Sequence, residues 1–254
     1  MITFRDFLQL PTVDLRLKRQ EALNDRMGDW VKLKAADGHE LAGYVARPEG
    51  AVRGGVVVVQ EIFGVNPSIR GVADWLAKEG FVAIAPAIFD RFEPGIELGY
   101  DEAGMQKAFA LYPQLKAENT LQDVAAAFKH IEGEGKGTAV LGFCYGGLTS
   151  WLSATRGPKF GFTPACTVGY YAGGVGSVAT ETPVCPAMLH FGLSDDHIGP
   201  EQVKAVRDAH PAVEIYEYEG AGHAFANPMR PSYVPAAAKL ADERSLAFLH
   251  KHIG

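Results

Sequence analysis

One short segment constrains the fold of this chain most: a cysteine between two glycines at the end of an apolar stretch. Residues 140–147 read Val-Leu-Gly-Phe-Cys-Tyr-Gly-Gly, and a helix-compatible stretch, 148–154, follows. A strand, a sharp turn and a helix in this order predict that Cys144 lies at the tip of a strained bend. The N-terminal end of the helix would then favour a thiolate at the sulfur. The alternative is a small buried cysteine beside a glycine-rich turn.

The composition limits the class of protein. The chain has 254 residues, of which 47% are hydrophobic and 21% charged, and this suits one α/β domain with a full core. The formal net charge of -6 does not favour nucleic-acid binding. No apolar run reaches the roughly 18 residues of a membrane span, and the first six residues lack the start of a signal peptide. Three cysteines are too few for a disulfide framework, so we expect a cytoplasmic protein.

The alternation of apolar segments predicts the architecture. Residues 1–29 are interpreted as an N-terminal extension, and residues 30–254 as one domain that starts with a hairpin around Asp37 and Gly38. Predicted strands then cover 56–59, 81–85, 139–141, 166–171, 188–191 and 213–218, and predicted helices cover 68–79, 121–128, 201–209 and 235–250. This pattern indicates a mostly parallel eight-stranded sheet flanked by helices on both faces, which is the α/β-hydrolase fold. The long segment 86–120 is predicted to form part of a cap or pocket wall.

The order of residues along the chain suggests which acid and which base act with Cys144. In this fold the acid and the base follow the nucleophile and lie on loops at the carboxyl ends of strands. His223 lies in a glycine-rich loop directly after the predicted strand 213–218, whereas the other histidines fall in strands, turns or helix ends. Asp195 and Asp196 follow the predicted strand 188–191, and either of them would orient the imidazole; Asp195 is favoured.

The oxyanion of a tetrahedral intermediate needs two backbone N–H groups. Tyr145, directly after the cysteine, is expected to supply one, and Ile62, in the loop after the third strand, the other. Glu61 precedes Ile62 at the end of an apolar strand, where a carboxylate is costly unless it is paired. It would therefore interact with the thiol, or else be an ordinary exposed glutamate.

Four segments together carry a family resemblance: 60–66 (Gln-Glu-Ile-Phe-Gly-Val-Asn), 142–147, 192–195 and 222–225. From about residue 30 onward the sequence resembles the dienelactone hydrolases, or carboxymethylenebutenolidases. The resemblance implies a triad of Cys144, Asp195 and His223. The sequence has no HExxH, phosphate-loop or nicotinamide-binding motif, so no metal or cofactor is expected. It also implies that Glu61 engages the cysteine in the resting enzyme and that Tyr170 lines the pocket.

The chain departs from the resemblance where that family binds a substrate carboxylate with two arginines. Asn227 stands at one of these positions and Met105 at the other, while Phe109 replaces a pocket tyrosine. Arg91 and Arg230 are the candidates for a replacement charge.

The sequence therefore predicts a hydrolase that opens an activated ester or an enol lactone through a thioester intermediate. Its partner is expected to be a small-molecule substrate, with no nucleic acid and no membrane, and the protein to be a monomer or a small homo-oligomer. A carboxylesterase or thioesterase acting on a non-carboxylated substrate is the alternative. A redox-sensing pseudo-hydrolase is a weaker one, since the acid and the base are both present.

Overall fold

The computed structural model describes residues 28–254 and contains eight strands and six helices in that range. The strands are β1 (Gly28–Lys34), β2 (Glu40–Ala46), β3 (Gly55–Val59), β4 (Val82–Pro86), β5 (Thr138–Phe143), β6 (Thr167–Tyr170), β7 (Ala187–Gly192) and β8 (Glu214–Tyr218). The helices are α1 (Pro67–Lys78), α2 (Glu102–Leu111), α3 (Ala117–Ile131), α4 (Tyr145–Arg156), α5 (Pro200–Ala209) and α6 (Pro235–Ile253).

The eight strands form one sheet in the order β1-β2-β4-β3-β5-β6-β7-β8. β1 and β2 pair antiparallel, as do β2 and β4, and every other neighbouring pair from β4 to β8 is parallel. The predicted α/β-hydrolase fold, with its antiparallel start and its helix-flanked sheet, is confirmed. Of the predicted extension, residues 1–27 lie outside the described residues, and Gly28 and Asp29 belong to β1.

The centre of the sheet is buried on both faces. All five residues of β3, Gly-Val-Val-Val-Val, and all six of β5 are buried. Continuous runs of β-branched residues suit strands that have helices packed against them. The parallel register sets Val59 beside Gly142, and Phe143 beside Tyr170. The strands therefore end together, and the loops that follow β3, β5, β7 and β8 meet at one edge of the sheet.

The segment between β4 and α3 forms a second small apolar cluster above that edge. It contains α2 and two 3₁₀ helices, Ile88–Arg91 and Tyr112–Gln114. Its buried members pack with residues from the loop after β3 and from the start of α4: Ile62, Phe63, Phe89, Ile96, Ala108 and Tyr145. We call this segment, residues 87–116, the cap. Helix α2 was not predicted, because it buries only Gly104 and Ala108 and shows little apolar periodicity.

Within residues 28–254 no helix has the length and apolar character required to cross a lipid bilayer.

Candidate active site

Cys144 lies at the bend between β5 and α4, in a backbone conformation that non-glycine residues rarely adopt. Its φ is 54° and its ψ is -114°. A Cβ on Gly142 would lie 2.0 Å from the Gly146 carbonyl oxygen, and a Cβ on Gly146 would lie 2.2 Å from the Val59 carbonyl oxygen. Both glycines are required because the backbones approach this closely. A strained residue of this kind costs about 1–3 kcal/mol, and such strain is typical of functional sites.

The structure brings Cys144 together with His223 and Asp195. The Cys144 Sγ lies 3.2 Å from Nε2 of His223, and Nδ1 of the same ring lies 2.9 Å from Oδ2 of Asp195. The other carboxylate oxygen of Asp195 accepts a hydrogen bond from the His197 backbone N–H at 2.8 Å. Asp196 is exposed. Of the two aspartates left open by the sequence, the geometry thus selects Asp195.

The charges of this trio reinforce one another. Burial by itself would lower the pKa of His223, but hydrogen bonds with Asp195 and Cys144, together with their negative charges, raise it to about 10. Burial of Asp195 acts to raise its pKa, yet the contact with His223 holds that pKa below its usual value. The first residue of α4 follows the cysteine, so the positive end of the helix faces the sulfur. The arrangement favours the imidazolium form of His223.

The two residues expected to stabilise an oxyanion, Tyr145 and Ile62, belong to the second apolar cluster. Tyr145 is the first residue of α4, so its backbone N–H has no acceptor within the helix. Ile62 follows β3 and packs in the same apolar cluster as Tyr145. Both residues thus lie in one cluster at the carboxyl edge of the sheet, and their role as oxyanion donors stays a prediction.

Glu61 is buried, with 3% of its surface exposed, so the interpretation as an exposed loop glutamate is wrong. Its Oε2 accepts hydrogen bonds from the Tyr100 hydroxyl at 2.9 Å and from the Asn227 amide at 3.0 Å. The Cys144 sulfur pairs with His223, and the Glu61 carboxylate accepts from Tyr100 and Asn227, so the contact between Glu61 and the cysteine that the resemblance implied is not made in this structure. Burial raises the pKa of Glu61, while these two donors and nearby positive charges act against that rise.

Tyr170 is not a pocket residue, contrary to the prediction. Its hydroxyl donates to Asp242 at 3.0 Å and lies 2.7 Å from the Ser245 hydroxyl, both on α6. The next residue, Tyr171, lies beside the site instead: its ring centre is 5.2 Å from that of His223, and its φ is 38°. Successive residues of a strand point to opposite faces, and the predicted position was one residue out of phase.

Arg91 is not available to a substrate, so its assignment to the pocket is also wrong. Its guanidinium makes two hydrogen bonds to Asp123, at 2.8 and 2.7 Å, and pairs with Asp37 at 2.9 Å. The Asp123 side chain is fully buried. Arg91 therefore neutralises a buried carboxylate and ties the cap to α3 and to the β1–β2 turn.

Asn227 also has an internal role. Only 2% of its surface is exposed, and its Oδ1 accepts from the Ser68 hydroxyl at 3.1 Å and from the Met229 N–H at 3.0 Å. Its amide donates to Glu61 and, at 2.8 Å, to the Tyr100 oxygen. All of its hydrogen-bonding capacity is used within the protein, so its assignment to the substrate pocket is wrong.

Arg230 lies over the aromatic wall of the cap. Its guanidinium carbon is 5.5 Å from the ring centre of Phe63 and 5.2 Å from that of Tyr100, and its Nη1 is 4.0 Å from the Met105 sulfur. Within residues 28–254 no carboxylate lies at ion-pair distance from it. Phe109, on α2, is 56% exposed. A cation that makes no ion pair within residues 28–254 thus lies near Glu61, and its charge opposes the rise that burial causes in the pKa of that carboxyl.

Sequence reasoning missed three residues beside the site. Tyr100 donates to Glu61, and the His197 ring lies edge-on to His223 with centres 5.0 Å apart. Tyr112 packs edge-on to Tyr145 with ring centres 6.1 Å apart; burial, and then the charge of Cys144, raises its pKa. Tyr100 and Tyr112 lie in the cap, whose length was the only signal. His197 directly follows the two candidate aspartates in the sequence.

Comparisons with known proteins agree with this geometry. A family model described as the dienelactone hydrolase family matches residues 41–253. A carboxymethylenebutenolidase from Pseudomonas putida is 31% identical over 229 residues, which cover 86% of this chain and 94% of that protein. Another, from Pseudomonas sp., is 34% identical over 215 residues, covering 81% and 87%. A solved structure from Klebsiella pneumoniae, assigned to the dienelactone hydrolases, has a TM-score of 0.71 at 28% identity and covers 86% of this chain and 98% of its own.

Proposed function

The chain belongs to the dienelactone hydrolase family and is a hydrolase, and from that premise we propose that it opens activated esters or enol lactones through a thioester on Cys144. One observation carries the proposal: a strained cysteine 3.2 Å from an imidazole whose other nitrogen is held by a buried aspartate. A nucleophile, a base and a group that orients the base are what acyl transfer requires.

The first half of the reaction forms the thioester. The Cys144 thiolate attacks the carbonyl carbon, and the backbone N–H groups of Tyr145 and Ile62 donate to the resulting oxyanion. When the carbon–oxygen bond breaks, the His223 imidazolium gives its proton to the leaving oxygen. Asp195 holds the ring in place and balances its charge until that transfer.

Water completes the reaction in the second half. His223, now neutral, takes a proton from a water molecule as that water attacks the thioester carbon. The carbon–sulfur bond breaks, the acid leaves, and the thiolate and imidazolium are both restored. No group beyond the trio and the two amides is needed to balance protons and charge.

The nucleophile limits the substrates that can react. A thiolate is a better leaving group than an alkoxide, so the tetrahedral adduct returns to the starting ester unless the substrate's leaving group is at least as good. Enol lactones, aryl esters and thioesters meet this condition, whereas amides do not. The proposed substrate is therefore an activated acyl compound.

A carboxylesterase or thioesterase acting on a neutral substrate is the second candidate, and the internal role of Asn227 favours it. With Asn227 and Arg91 both engaged within the protein, Arg230 is the remaining cation among the candidates for carboxylate recognition. The cytoplasmic location is likewise a proposal, supported by three cysteines that form no disulfide.

Replacement of the nucleophile tests the proposal. Cys144→Ala should abolish turnover of an enol lactone and of an aryl ester while leaving the unfolding transition in place. The wild type should show a burst of acylation with a slow aryl ester, and mass spectrometry should find the acyl group on Cys144. Turnover by the alanine variant, or an acyl group on another residue, would rule the mechanism out.

Substitution of Arg230 separates the two candidate substrate classes. For a carboxylated lactone, Arg230→Gln should raise KM about tenfold, the loss expected for one charge-assisted hydrogen bond. For a neutral aryl ester, KM should stay within about twofold. If the wild type handles only the neutral ester, the second candidate is favoured.

A further inference from the structure

Helix α2 of the cap carries two neighbouring stripes of side chains, one covered and one largely uncovered. Ala108 and Leu111, three residues apart, pack in the second apolar cluster. The adjacent stripe contains Met105, Phe109 and Tyr112, which are spaced by four and three residues. Tyr112 directly follows α2 and keeps a helical backbone, with φ -51° and ψ -45°, so it continues the same face. We call these three residues the cap stripe.

The two ends of the cap stripe contact the two segments that build the active site. The Met105 sulfur lies 4.0 Å from Nη1 of Arg230, in the loop after β8. The Tyr112 ring packs edge-on to that of Tyr145, the residue after Cys144, with ring centres 6.1 Å apart. The cap stripe therefore runs beside the nucleophile, from the loop after β8 to the start of α4.

Phe109, the middle member, is the most exposed of the three. Its surface is 56% exposed, against 46% for Tyr112. Single exposed apolar side chains are common on protein surfaces. Here three such side chains are contiguous beside a reactive sulfur, and a contiguous apolar surface in that position is typical of a binding site. The charge of Cys144 is among the causes that raise the pKa of Tyr112, which agrees with this position.

The polar side chains of α2 have partners of their own. Gln106 donates to Glu102 one turn earlier, and Lys107 pairs with Glu93 elsewhere in the cap. Within the cap stripe itself, the Tyr112 hydroxyl is the one strong hydrogen-bonding group. A group bound along the cap stripe is therefore mainly apolar.

The three side chains favour an aromatic group over an aliphatic one. The rings of Phe109 and Tyr112 can pair with another ring in edge-to-face or offset geometry, and such pairs gain free energy beyond the area they bury. The Met105 thioether makes a favourable sulfur contact with an aromatic ring. An aliphatic group would gain from burial alone.

We propose that the cap stripe binds an aryl group on the acyl part of the substrate, so that arylalkanoyl esters are preferred by this site. The inference rests on the proposed hydrolysis by Cys144. The acyl group stays on the sulfur after the leaving group departs. A surface beside the sulfur therefore holds it through both halves of the reaction, with Phe109 as the central contact.

Three para-nitrophenyl esters that differ only in the acyl group test the inference: the phenylacetate, the cyclohexylacetate and the acetate. Because the leaving group is constant, the ratios of kcat/KM report on recognition of the acyl group. The wild type should prefer the phenylacetate to both others. Phe109→Ala should lower the phenylacetate-to-acetate ratio about tenfold. Phe109→Leu, which keeps an apolar side chain, should lower the phenylacetate-to-cyclohexylacetate ratio about threefold.

Val184→Ala is a matched control. Val184 is an apolar side chain with a similar exposure, 53%, and it precedes β7, at the edge of the sheet opposite to the active site. Its replacement should leave turnover and both ratios within about twofold of the wild type. A phenylacetate-to-acetate ratio in Phe109→Ala that also stays in that range, or a wild type without preference for the phenylacetate, would overturn the inference.

A binding measurement separates this inference from the proposed function. Phenylacetamide, an amide that the trio is not expected to cleave, should protect Cys144 from alkylation by iodoacetamide. The concentration that halves the alkylation rate should rise about tenfold in Phe109→Ala and stay unchanged in Val184→Ala. A wild type that shows this protection but hydrolyses no ester would overturn the proposed function and leave the cap stripe as a site for aryl groups.

Two further outcomes would count against the cap stripe alone. Hydrolysis through Cys144 without protection by phenylacetamide would show that the aryl group binds elsewhere. A dimer in sedimentation that Phe109→Ala converts to a monomer would make the cap stripe an interface between two copies of this chain, and the inference would be overturned.

Discussion

Two histidines of this molecule respond to burial in opposite ways. His190, on β7, is fully buried, and its pKa is lowered to about 3. His223, in the loop after β8, is also largely enclosed, yet its pKa is raised to about 10. Both rings have a partner at each nitrogen. Burial and hydrogen-bond satisfaction alone therefore do not distinguish the two sites.

The charge of the partners makes the difference. His190 lies 2.8 Å from the Tyr218 hydroxyl and 3.0 Å from the Ser245 hydroxyl; burial disfavours its cation, as does the charge of Arg244. His223 instead lies between a carboxylate and a sulfur, and the hydrogen bonds to these two groups, together with their negative charges, outweigh the effect of burial on its pKa. A buried neutral histidine is a structural element here, whereas a buried histidine with anionic partners is equipped to move protons.

Removing the Asp195 carboxylate should have the largest effect and make the titration of His223 more like that of His190. Asp195→Asn leaves the shape of the site but removes the charge behind His223. We expect kcat/KM to fall by roughly a thousandfold or more, and the pKa of His223, followed by NMR, to move down toward the usual value. Asp196→Asn changes an exposed neighbour and should stay within about twofold of the wild type. An unchanged His223 titration in Asp195→Asn would break the comparison.

Much of this site could be predicted from the chain, for identifiable reasons. The glycines around Cys144 and the loop positions of Asp195 and His223 are local features, which the order of strands and loops converts into proximity. Partners from distant elements could not be predicted in this way. Arg91 is paired with carboxylates more than thirty residues away on each side, and Tyr100 reaches Glu61 from the cap.

A one-residue error shows a second limit. The segment around Tyr170 and Tyr171 was correctly predicted as a strand that ends near the site. Which of the two side chains faces the site was not predicted correctly. Tyr171 has a positive φ directly after the strand, so the chain turns there and presents the second ring, not the first, to His223. The apolar pattern of a buried strand carries no alternation from which that phase can be determined.

The neutral histidine provides the next prediction, an acid dependence of stability. The folded-state pKa of His190 lies below its unfolded value. The neutral His190 therefore makes its full contribution to the free energy of unfolding above about pH 6.5, and this contribution is lost as the pH falls toward 3. Between pH 6.5 and 4.5 the loss is about 2 to 3 kcal/mol. His190→Gln, which does not titrate, should be less stable at pH 7 but should lose correspondingly less on acidification, while its kcat/KM stays near the wild-type value.

Urea unfolding at pH 6.5 and 4.5 measures this difference. His130→Gln is the control, because His130 is exposed on α3 and its replacement should follow the wild-type acid dependence. If His190→Gln and the wild type lose equal stability between the two pH values, His190 does not distinguish the folded from the unfolded state by its protonation. Only the raised pKa of His223 would then support the contrast between the two histidines.

The smallest effect is expected at Tyr170, which divides the two regions. Its ring lies 4.7 Å from that of His190, and its hydroxyl is bonded to Asp242 and Ser245, whereas the adjacent Tyr171 faces His223. Tyr170→Phe should therefore lower the free energy of unfolding by about 2 kcal/mol, because the buried Asp242 and Ser245 both lose a hydrogen-bond partner, and leave KM and kcat within about twofold. A tenfold rise in KM with unchanged stability would instead place the Tyr170 hydroxyl in contact with substrate, and Tyr170 would then belong to the active site and not to the structural contacts around His190.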